Sequence, residues 1–514
     1  LDWVRAILLF LDAAVFAYFS FYAVVNLFLL VQSFFEVRGR LSREDLEQPA
    51  SDAERQAFKP LVSLIVPAYN EEVTIVDSVR SLLLLNYPAY EIILVNDGSK
   101  DRTVEVLKEA YAFVRSDVDY NPLLGASPIR GFYRSTTELP RSVVRLVLVD
   151  KHNGGKADAI NCGINASQGA YVASMDADSL IIKDALYTIV KPILDDPNRV
   201  IAVGGSIGLT NGATVEAGKV LEVGLPKSWI ARFQVVEYMR SFIQSRTALG
   251  RSNGLLILSG VFAVFQREIL IAAGGFLTKH MRSRVGLEYC GAEAETVCED
   301  MEVVVRLHRY AMEHGIEGRI ILVPTPTAWT EAPEIYTNLG KQRNRWYRGL
   351  LEVLSIHRTM LFRPKYGRIG LFALPYQLFF EAAAPLIETM GYIVLPISWA
   401  VGLLSERALF SFISLALAFN LFLSVGSVLV SVGRVRLEHQ REGRALYDYR
   451  GFKALLVLTA AGFLSNLGYR QFLLLWQLRG LKDFLSGRKS WDKFARQGFQ
   501  AGPKPPESRS DTAL

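Results

Sequence analysis

From Ala13 to Phe35 the chain carries no charged side chain, and an apolar run of that length is what a helix needs to cross a bilayer. Arg38, Arg40 and Arg43 follow it, which places its C-terminal end on the cytoplasmic side. A cleaved leader is not expected, because the run is too long and no small-x-small site follows. Near the other end, Leu371–Leu404, interrupted by Pro375, Pro385 and Pro396, and Ala408–Val432 are two more expected spans. Ala454–Leu478 is also apolar, but Asn466, Gly468, Tyr469, Arg470 and Gln471 sit in its middle, with basic residues on both flanks. A crossing would put one basic cluster outside, so this segment is read as a bent helix at the cytoplasmic interface. Glu388, inside the proline-broken segment, either borders a polar path with Tyr376 and Trp399 or, like Glu381, sits near the headgroups.

Composition bounds the remainder. Of 514 residues, 50% are hydrophobic and 21% charged, with a mean hydropathy of +0.21. That is too apolar for a soluble enzyme and too charged for a wholly embedded transporter, so one soluble domain joins a membrane part. The net charge of +6 gathers beside the apolar segments, which fits a membrane surface and not a nucleic acid. Cys162, Cys290 and Cys298 have no CxxC spacing and read as reduced thiols, neither a disulfide framework nor a zinc site.

Between Pro60 and about Pro324, short apolar runs alternate with helical stretches. Leu61–Val66, Glu91–Val95, Arg145–Val149 and Ala170–Ser174 read as buried strands, followed by Ile201–Leu209, Val261–Phe265 and Arg319–Val323. The alternation predicts an α/β domain with a mostly parallel sheet covered on both faces. Tyr120–Leu139, with prolines nearby, reads as a long loop.

The polar residues concentrate where strands end. In YVASMDADS, Asp176 and Asp178 follow the strand, and a spacing of two in an extended backbone turns both carboxylates one way, into the crevice at the carboxyl edge. Two hard oxygen ligands suit Mg²⁺ or Mn²⁺ shared with phosphates, and an Asp-rich turn is the simpler alternative. VPAYNEE (Val66–Glu72) and VNDGS (Val95–Ser99) end two other strands. Tyr69 suits a base, Glu71 a ribose hydroxyl and Asp97 a uracil N–H, although Asn70 and Asp97-Gly98-Ser99 also read as cap and turn signals. Lys156 opens a helix in NGGKADAI, beside a phosphate or a uracil carbonyl or simply on the surface. Glu299 and Asp300 begin a helix, either complementing its dipole or, for Asp300, serving as a general base. His308, two turns on, reads as a helix-face histidine before a metal ligand. In QRNRW, Gln342, Arg345 and Trp346 share a helix face. There Arg345 can fork onto a diphosphate and Trp346 offers a flat apolar surface, against the alternative of a basic helix on headgroups.

In order, VPAYNEE, VNDGS, NGGKADAI, SMDADS, CED and QRNRW resemble the membrane-embedded family-2 glycosyltransferases, among them hyaluronan, cellulose, chitin and poly-N-acetylglucosamine synthases. The likeness runs from about Leu61 to Trp346 and implies a GT-A fold. It implies inverting, processive transfer from a UDP-sugar (UDP-GlcNAc or UDP-Glc) to a glycan acceptor, with Mg²⁺ or Mn²⁺. The donor would be bound by Pro67, Ala68, Tyr69, Glu71, Asp97, Lys156, Asp176 and Arg345, and the metal by Asp176 and Asp178. Asp300 is the implied base, with Glu299 beside it, and Gln342 and Trp346 would meet the acceptor. The expected layout is 1–37 a spanning helix, 38–59 a linker, 60–340 the catalytic domain and 341–368 the QRNRW and interfacial helices. Next come 369–432 with two spans, 433–498 a cytoplasmic loop and interfacial helix, and 499–514 a disordered tail. RKSWDK (Arg488–Lys493) only loosely resembles a tryptophan motif of hyaluronan synthases. A bacterial inner membrane with the catalytic domain in the cytoplasm is expected. A single-addition enzyme acting on a polyprenyl phosphate and an inactive export subunit are the alternatives.

Overall fold

The structure, a computed structural model, describes residues 2–46, 60–216, 219–292, 294–442 and 451–488. The expected tail and nearly all of RKSWDK lie outside these residues. Every run read as a strand forms one: β1 (Val62–Ala68), β2 (Tyr90–Asp97), β5 (Val143–Lys151), β6 (Tyr171–Met175), β8 (Val200–Leu209), β11 (Phe262–Gln266) and β12 (Arg319–Thr330). Three more strands join them: β3 (Phe113–Arg115), β4 (Ile129–Ser135) and β7 (Leu180–Ile181). Together they make a ten-stranded sheet ordered β3-β4-β5-β2-β1-β6-β11-β8-β12-β7, while β9 (Ala213–Glu216) and β10 (Lys219–Val223) pair separately.

The centre is parallel, with β1 between β2 and β6 and β2 beside β5. All eight residues of β2 are buried, which is why such strands read as unbroken apolar runs and not as alternating ones. The sheet as a whole is mixed and not mostly parallel: β11 runs antiparallel to both β6 and β8, and β4 to β5. The stretch Tyr120–Leu139 is therefore not one long loop, since it contains β4. That strand, IRGFYRS, is only partly buried, so its sequence shows neither a continuous apolar run nor a clean alternation.

The first helix runs from Asp2 to Leu46, past the expected end at residue 37 and into the expected linker. It packs on the helices Ala384–Ala400 and Glu406–Glu442, and Tyr18 donates to the Phe379 carbonyl at 2.9 Å. Among the described residues, four helical segments are long and apolar enough to cross a membrane: Asp2–Gly39, Ile369–Ala400, Glu406–Ser431 and Phe452–Leu485. The last is bent, as expected. Leu467 and Gly468 leave helical geometry, with Gly468 at φ 94°, a conformation that glycine adopts without a Cβ clash. Its first arm, Phe452–Leu464, lies on Glu406–Glu442, and its second, Arg470–Leu485, lies along the helix Tyr336–Ile356. QRNRW and most of the expected interfacial stretch form this one helix. Trp476 seats directly on Gly340, where any Cβ would lie 2.1 Å from the indole.

Glu388 does not stand open to a path. Arg470 grips both its oxygens, at 2.8 and 3.1 Å, and reaches Asn420 at 3.5 Å. The pair ties the second arm to the helix Ala384–Ala400. Glu388→Leu leaves Arg470 without its carboxylate and is expected to lower stability by about 1.5–3 kcal/mol. The readout is thermal unfolding of the detergent-extracted protein, in which Glu388→Leu with Arg470→Leu should recover part of the loss. Equal unfolding temperatures for wild type and Glu388→Leu would show that the pair contributes nothing.

Candidate active site

The carboxyl ends of β1, β2, β5 and β6 open on one side of the sheet, the side where ligands bind in open α/β sheets. The loops after β1 and β2 are stitched together. Asn70 Oδ1 accepts from Lys100 N at 2.8 Å, Asp101 Oδ2 from Glu72 N at 3.1 Å, and Thr103 Oγ1 from Glu71 N at 2.8 Å. Just ahead of the helix Thr103–Tyr111, Asp101 Oδ1 accepts from Thr103 N at 3.0 Å. Glu71 is nearly buried, and its Oε2 accepts from Thr74 Oγ1 at 3.0 Å.

Asp97, at the end of β2, is 3% exposed. Its carboxylate takes the Lys151 ammonium and Gly154 N (2.9 Å) on one oxygen, and Gly155 N (2.8 Å) and Asn153 Nδ2 (3.1 Å) on the other. Lys151 is itself fully buried and bridges to Asp158 at 2.7 Å. Burial raises Asp97 above the usual carboxylate range even though Lys151 and the backbone N–H groups pull the other way. Asp97 therefore shapes the 153–155 loop. Neither Lys151 nor Asp158 stands out in the sequence, where a lysine next to an aspartate in a loop looks solvated.

Asp176 and Asp178 sit on a turn and not in extended backbone, with Ser179 N donating to the Asp176 carbonyl at 3.2 Å. Both still face the same cavity, because the turn carries them over the end of β6 together. Lys156 opens the helix Lys156–Ala166 and reaches Asp176 at 2.6 Å and Glu299 at 3.2 Å. Burial raises Asp176, with Asp178 adding to the effect, against the lowering by Lys156. Burial would also raise Glu299, but Lys156 and Arg345 outweigh it and hold that carboxyl below its ordinary range.

Asp300 stands behind this cluster. Its Oδ2 accepts from Gly260 N at 3.3 Å and its Oδ1 from Met301 N at 2.9 Å. A Cβ at Gly260 would lie 3.0 Å from Lys156 Nζ and 3.5 Å from Asp300 Oδ2, so Lys156 and Asp300 flank the same backbone. Burial, then the neighbouring Glu299, raises the Asp300 carboxyl, as suits a group that must take up a proton.

The cavity measures about 1250 Å³ and is lined by Pro67, Ala68, Tyr69, Glu71, Asp97, Lys156, Asp176, Asp178, Glu299, Gln342 and Arg345. Gln342 Oε1 is buried in its wall with no hydrogen-bond partner among the described residues. Asp300 and Trp346 are not among the lining residues. The expected QRNRW face divides here. Arg345 and Trp346 are successive residues, about 100° apart around the axis, and Trp346 instead lies under the Arg343 guanidinium at 4.3 Å. Arg343 in turn pairs with Glu237 at 2.9 Å. Trp476, Arg479 and Lys482 of the helix Arg470–Leu485 complete the wall, a contribution that a motif search between residues 60 and 346 does not reach.

His308 is 1% exposed, with Nε2 at 2.9 Å from the Leu255 carbonyl, and burial lowers it to about 4. It is a core histidine. Cys290, Glu302 and His357 bring ligand atoms within 4.8 Å of one another, but Arg306 holds both Glu302 oxygens at 2.7 and 2.8 Å. A cation there would meet a guanidinium, so this cluster is a hydrogen-bonded network. All three cysteines are free.

The Glycosyl transferase family 2 model matches residues 63–121, and the Glycosyltransferase like family 2 model matches residues 130–349. Poly-beta-1,6-N-acetyl-D-glucosamine synthases of Staphylococcus aureus (strain COL) and Staphylococcus epidermidis are each 26% identical to this chain, over 298 and 294 residues. The match takes in 57% of this chain and 55% of each relative, so the chain spans about half the length of these curated proteins. A mannosyltransferase from Pyrobaculum calidifontis, solved with GDP-Man and Mn²⁺, superposes with a TM-score of 0.52 at 18% identity. That superposition covers 94% of this chain and 99% of the other, which shows a shared fold.

Proposed function

Because this chain belongs to glycosyltransferase family 2, with an α/β GT-A domain between membrane-spanning candidates, we propose that it extends a polysaccharide. The donor is a UDP-sugar, and transfer is inverting and processive at the cytoplasmic face of a bacterial inner membrane. The observation that carries this reading is the meeting of Lys156, Asp176, Asp178, Glu299 and Arg345 on one cavity with Asp300 directly behind. The names of the staphylococcal relatives favour UDP-GlcNAc as donor, ahead of UDP-Glc.

Tyr69 packs on the base, Glu71 meets the ribose, and Asp97 keeps the 153–155 loop against the nucleoside, with Pro67 and Ala68 beside it. Asp176 and Asp178 suit a Mg²⁺ or Mn²⁺ ion. Three carboxylates crowd the site with Lys156 among them, and burial, with Asp178 adding to it, pushes Asp176 upward, a cost that a bound cation would offset. When bound, the ion neutralises charge on the leaving diphosphate. Arg345 supplies a fixed positive fork for the same diphosphate. Lys156 holds Asp176 and Glu299 in place, and Asp300 accepts the proton of the attacking hydroxyl as the new bond forms. Gln342, whose Oε1 in the cavity wall is unpartnered among the described residues, guides the acceptor, while Trp346 packs under Arg343 behind that wall.

The test is to incubate membranes holding the full chain with UDP-GlcNAc or UDP-Glc and Mg²⁺, measure UDP release and size the product. A long polymer is expected. A product one sugar longer than a lipid acceptor would replace processive synthesis with single addition, and absence of UDP release would leave an export subunit.

A further inference from the structure

The candidates Ile369–Ala400 and Glu406–Ser431 separate the helix Arg470–Leu485 in sequence from the helix Tyr336–Ile356, yet the two are fastened together beside Arg345. Trp476 seats on Gly340, and a Cβ on Gly480 would lie 2.9 Å from the Asn344 carbonyl oxygen. Asn344 Nδ2 donates to Asp483 Oδ2 at 2.8 Å. Positions 476, 480 and 483 share one helix face, and the last two hold the residue just before Arg345. Arg479 stands between these anchors. It lines the donor cavity together with Tyr69, Asp97, Asp176 and Arg345.

The cations on this cavity differ in what already holds them. Lys156 bridges Asp176 and Glu299, and Arg348 pairs with Glu352 at 3.3 Å. Asp483 is taken by Asn344, with Arg488 at 3.8 Å. Arg479 and Lys482, both on the cavity wall, have no carboxylate partner among the described residues. The Arg479 guanidinium instead stacks 4.6 Å over the Trp476 ring, the same indole that is locked on Gly340. Stacking takes up a face of the guanidinium and leaves the N–H groups in its plane for an anion. A fixed fork beside Arg345 suits phosphoryl oxygens. A lipid headgroup offers the same chemistry, but Arg479 shares its cavity with Tyr69 and Asp97, which favours the nucleotide.

We propose that Arg479 is a second donor-binding arginine, whose in-plane N–H groups donate to the diphosphate oxygens of the nucleotide beside Arg345, with Lys482 adding charge one turn on. The inference rests on the reading of this cavity as a nucleotide-sugar site and makes the helix Arg470–Leu485 part of that site. The diphosphate bears more negative charge once the sugar has left, so the Arg479 contact strengthens as the glycosidic bond of the donor breaks.

The experiment uses the full chain in detergent with Mn²⁺ and measures the affinity for UDP and for uridine in wild type, Arg479→Gln and Arg479→Lys. Arg479→Gln should weaken UDP binding about tenfold or more, the loss of one charge-assisted hydrogen bond, and leave uridine binding unchanged. Arg479→Lys should restore part of the UDP affinity, and Arg479→Gln with Lys482→Gln should lose more than Arg479→Gln alone. Unchanged UDP affinity in Arg479→Gln would overturn the proposal. Equal weakening of UDP and uridine would also overturn it, because a change of fold strikes both. So would an Arg479→Gln protein that keeps its UDP affinity and loses activity only in vesicles holding phosphatidylglycerol, which would give the arginine to the headgroups. Wild-type protein that binds no UDP would remove the functional reading and this inference with it. Wild type that binds UDP, beside an Arg479→Gln that binds it as tightly, removes the inference alone.

Discussion

Asp300→Asn is expected to lower turnover by about 10²–10⁴-fold while UDP binds nearly as well as to wild type. Asparagine keeps the shape of the side chain, and its Oδ1 can still accept from Met301 N, while the Gly260 N–H loses its acceptor. What it loses is the capacity to take a proton from the attacking hydroxyl. The donor cavity does not include Asp300 among its walls, so UDP affinity should survive. The pH profile gives a second reading. Because burial and Glu299 raise the Asp300 carboxyl, activity of the wild type should fall on the acid side at a pH above the ordinary aspartate range, as the base becomes protonated. The residual activity of the variant should lack that limb. Near-normal turnover in Asp300→Asn would transfer the role of base to another group, with Glu299 the nearest.

Asp178→Ala is expected to lower turnover by about 10²–10³-fold and to abolish the dependence of UDP binding on divalent cation. Asp178 is the better probe of the two aspartates. Asp176 is tied to Lys156 at 2.6 Å, and its removal would also release that lysine from one of its two carboxylates. UDP affinity measured with Mn²⁺ and again with a chelator should differ strongly in wild type and hardly at all in Asp178→Ala. If the variant kept the full metal effect, the ion would have to be held without Asp178.

The two predictions together separate the halves of the reaction, departure of the diphosphate and activation of the acceptor. Lys156 lies between them, touching Asp176 and Glu299 and flanking Gly260 opposite Asp300. A lysine on a helix-opening loop looked as much like a surface charge as a ligand, and only the folded chain shows it bridging elements from both parts of the sequence.

How much could be read beforehand follows from the range of the forces involved. The buried strands announced themselves, because a parallel strand covered on both faces is largely apolar, and β1, β2, β5 and β6 each carry such a run, broken only by polar residues such as Ser63, Glu91 and Arg145 that pair with one another. The polar clusters were legible for a related reason. Asp97, Asp176 and Asp178 come directly after such strands, so their placement at one sheet edge depends on little besides strand direction. Half-exposed strands such as β4 escape because their residues carry a mixed pattern, and antiparallel β11 carries nothing in its own residues that states its direction.

Sequence alone therefore determined the alternation of strand and helix, the apolar segments at both ends and the carboxylates of the cleft, all of which are properties of short stretches. Tertiary structure alone decided that Asp97 reaches across to Lys151 and the 153–155 loop, that Glu388 belongs to Arg470, and that Arg479 joins the cavity wall. Each of these is a pairing between segments far apart in the chain, settled by which buried charge finds which partner, and no local pattern encodes that choice.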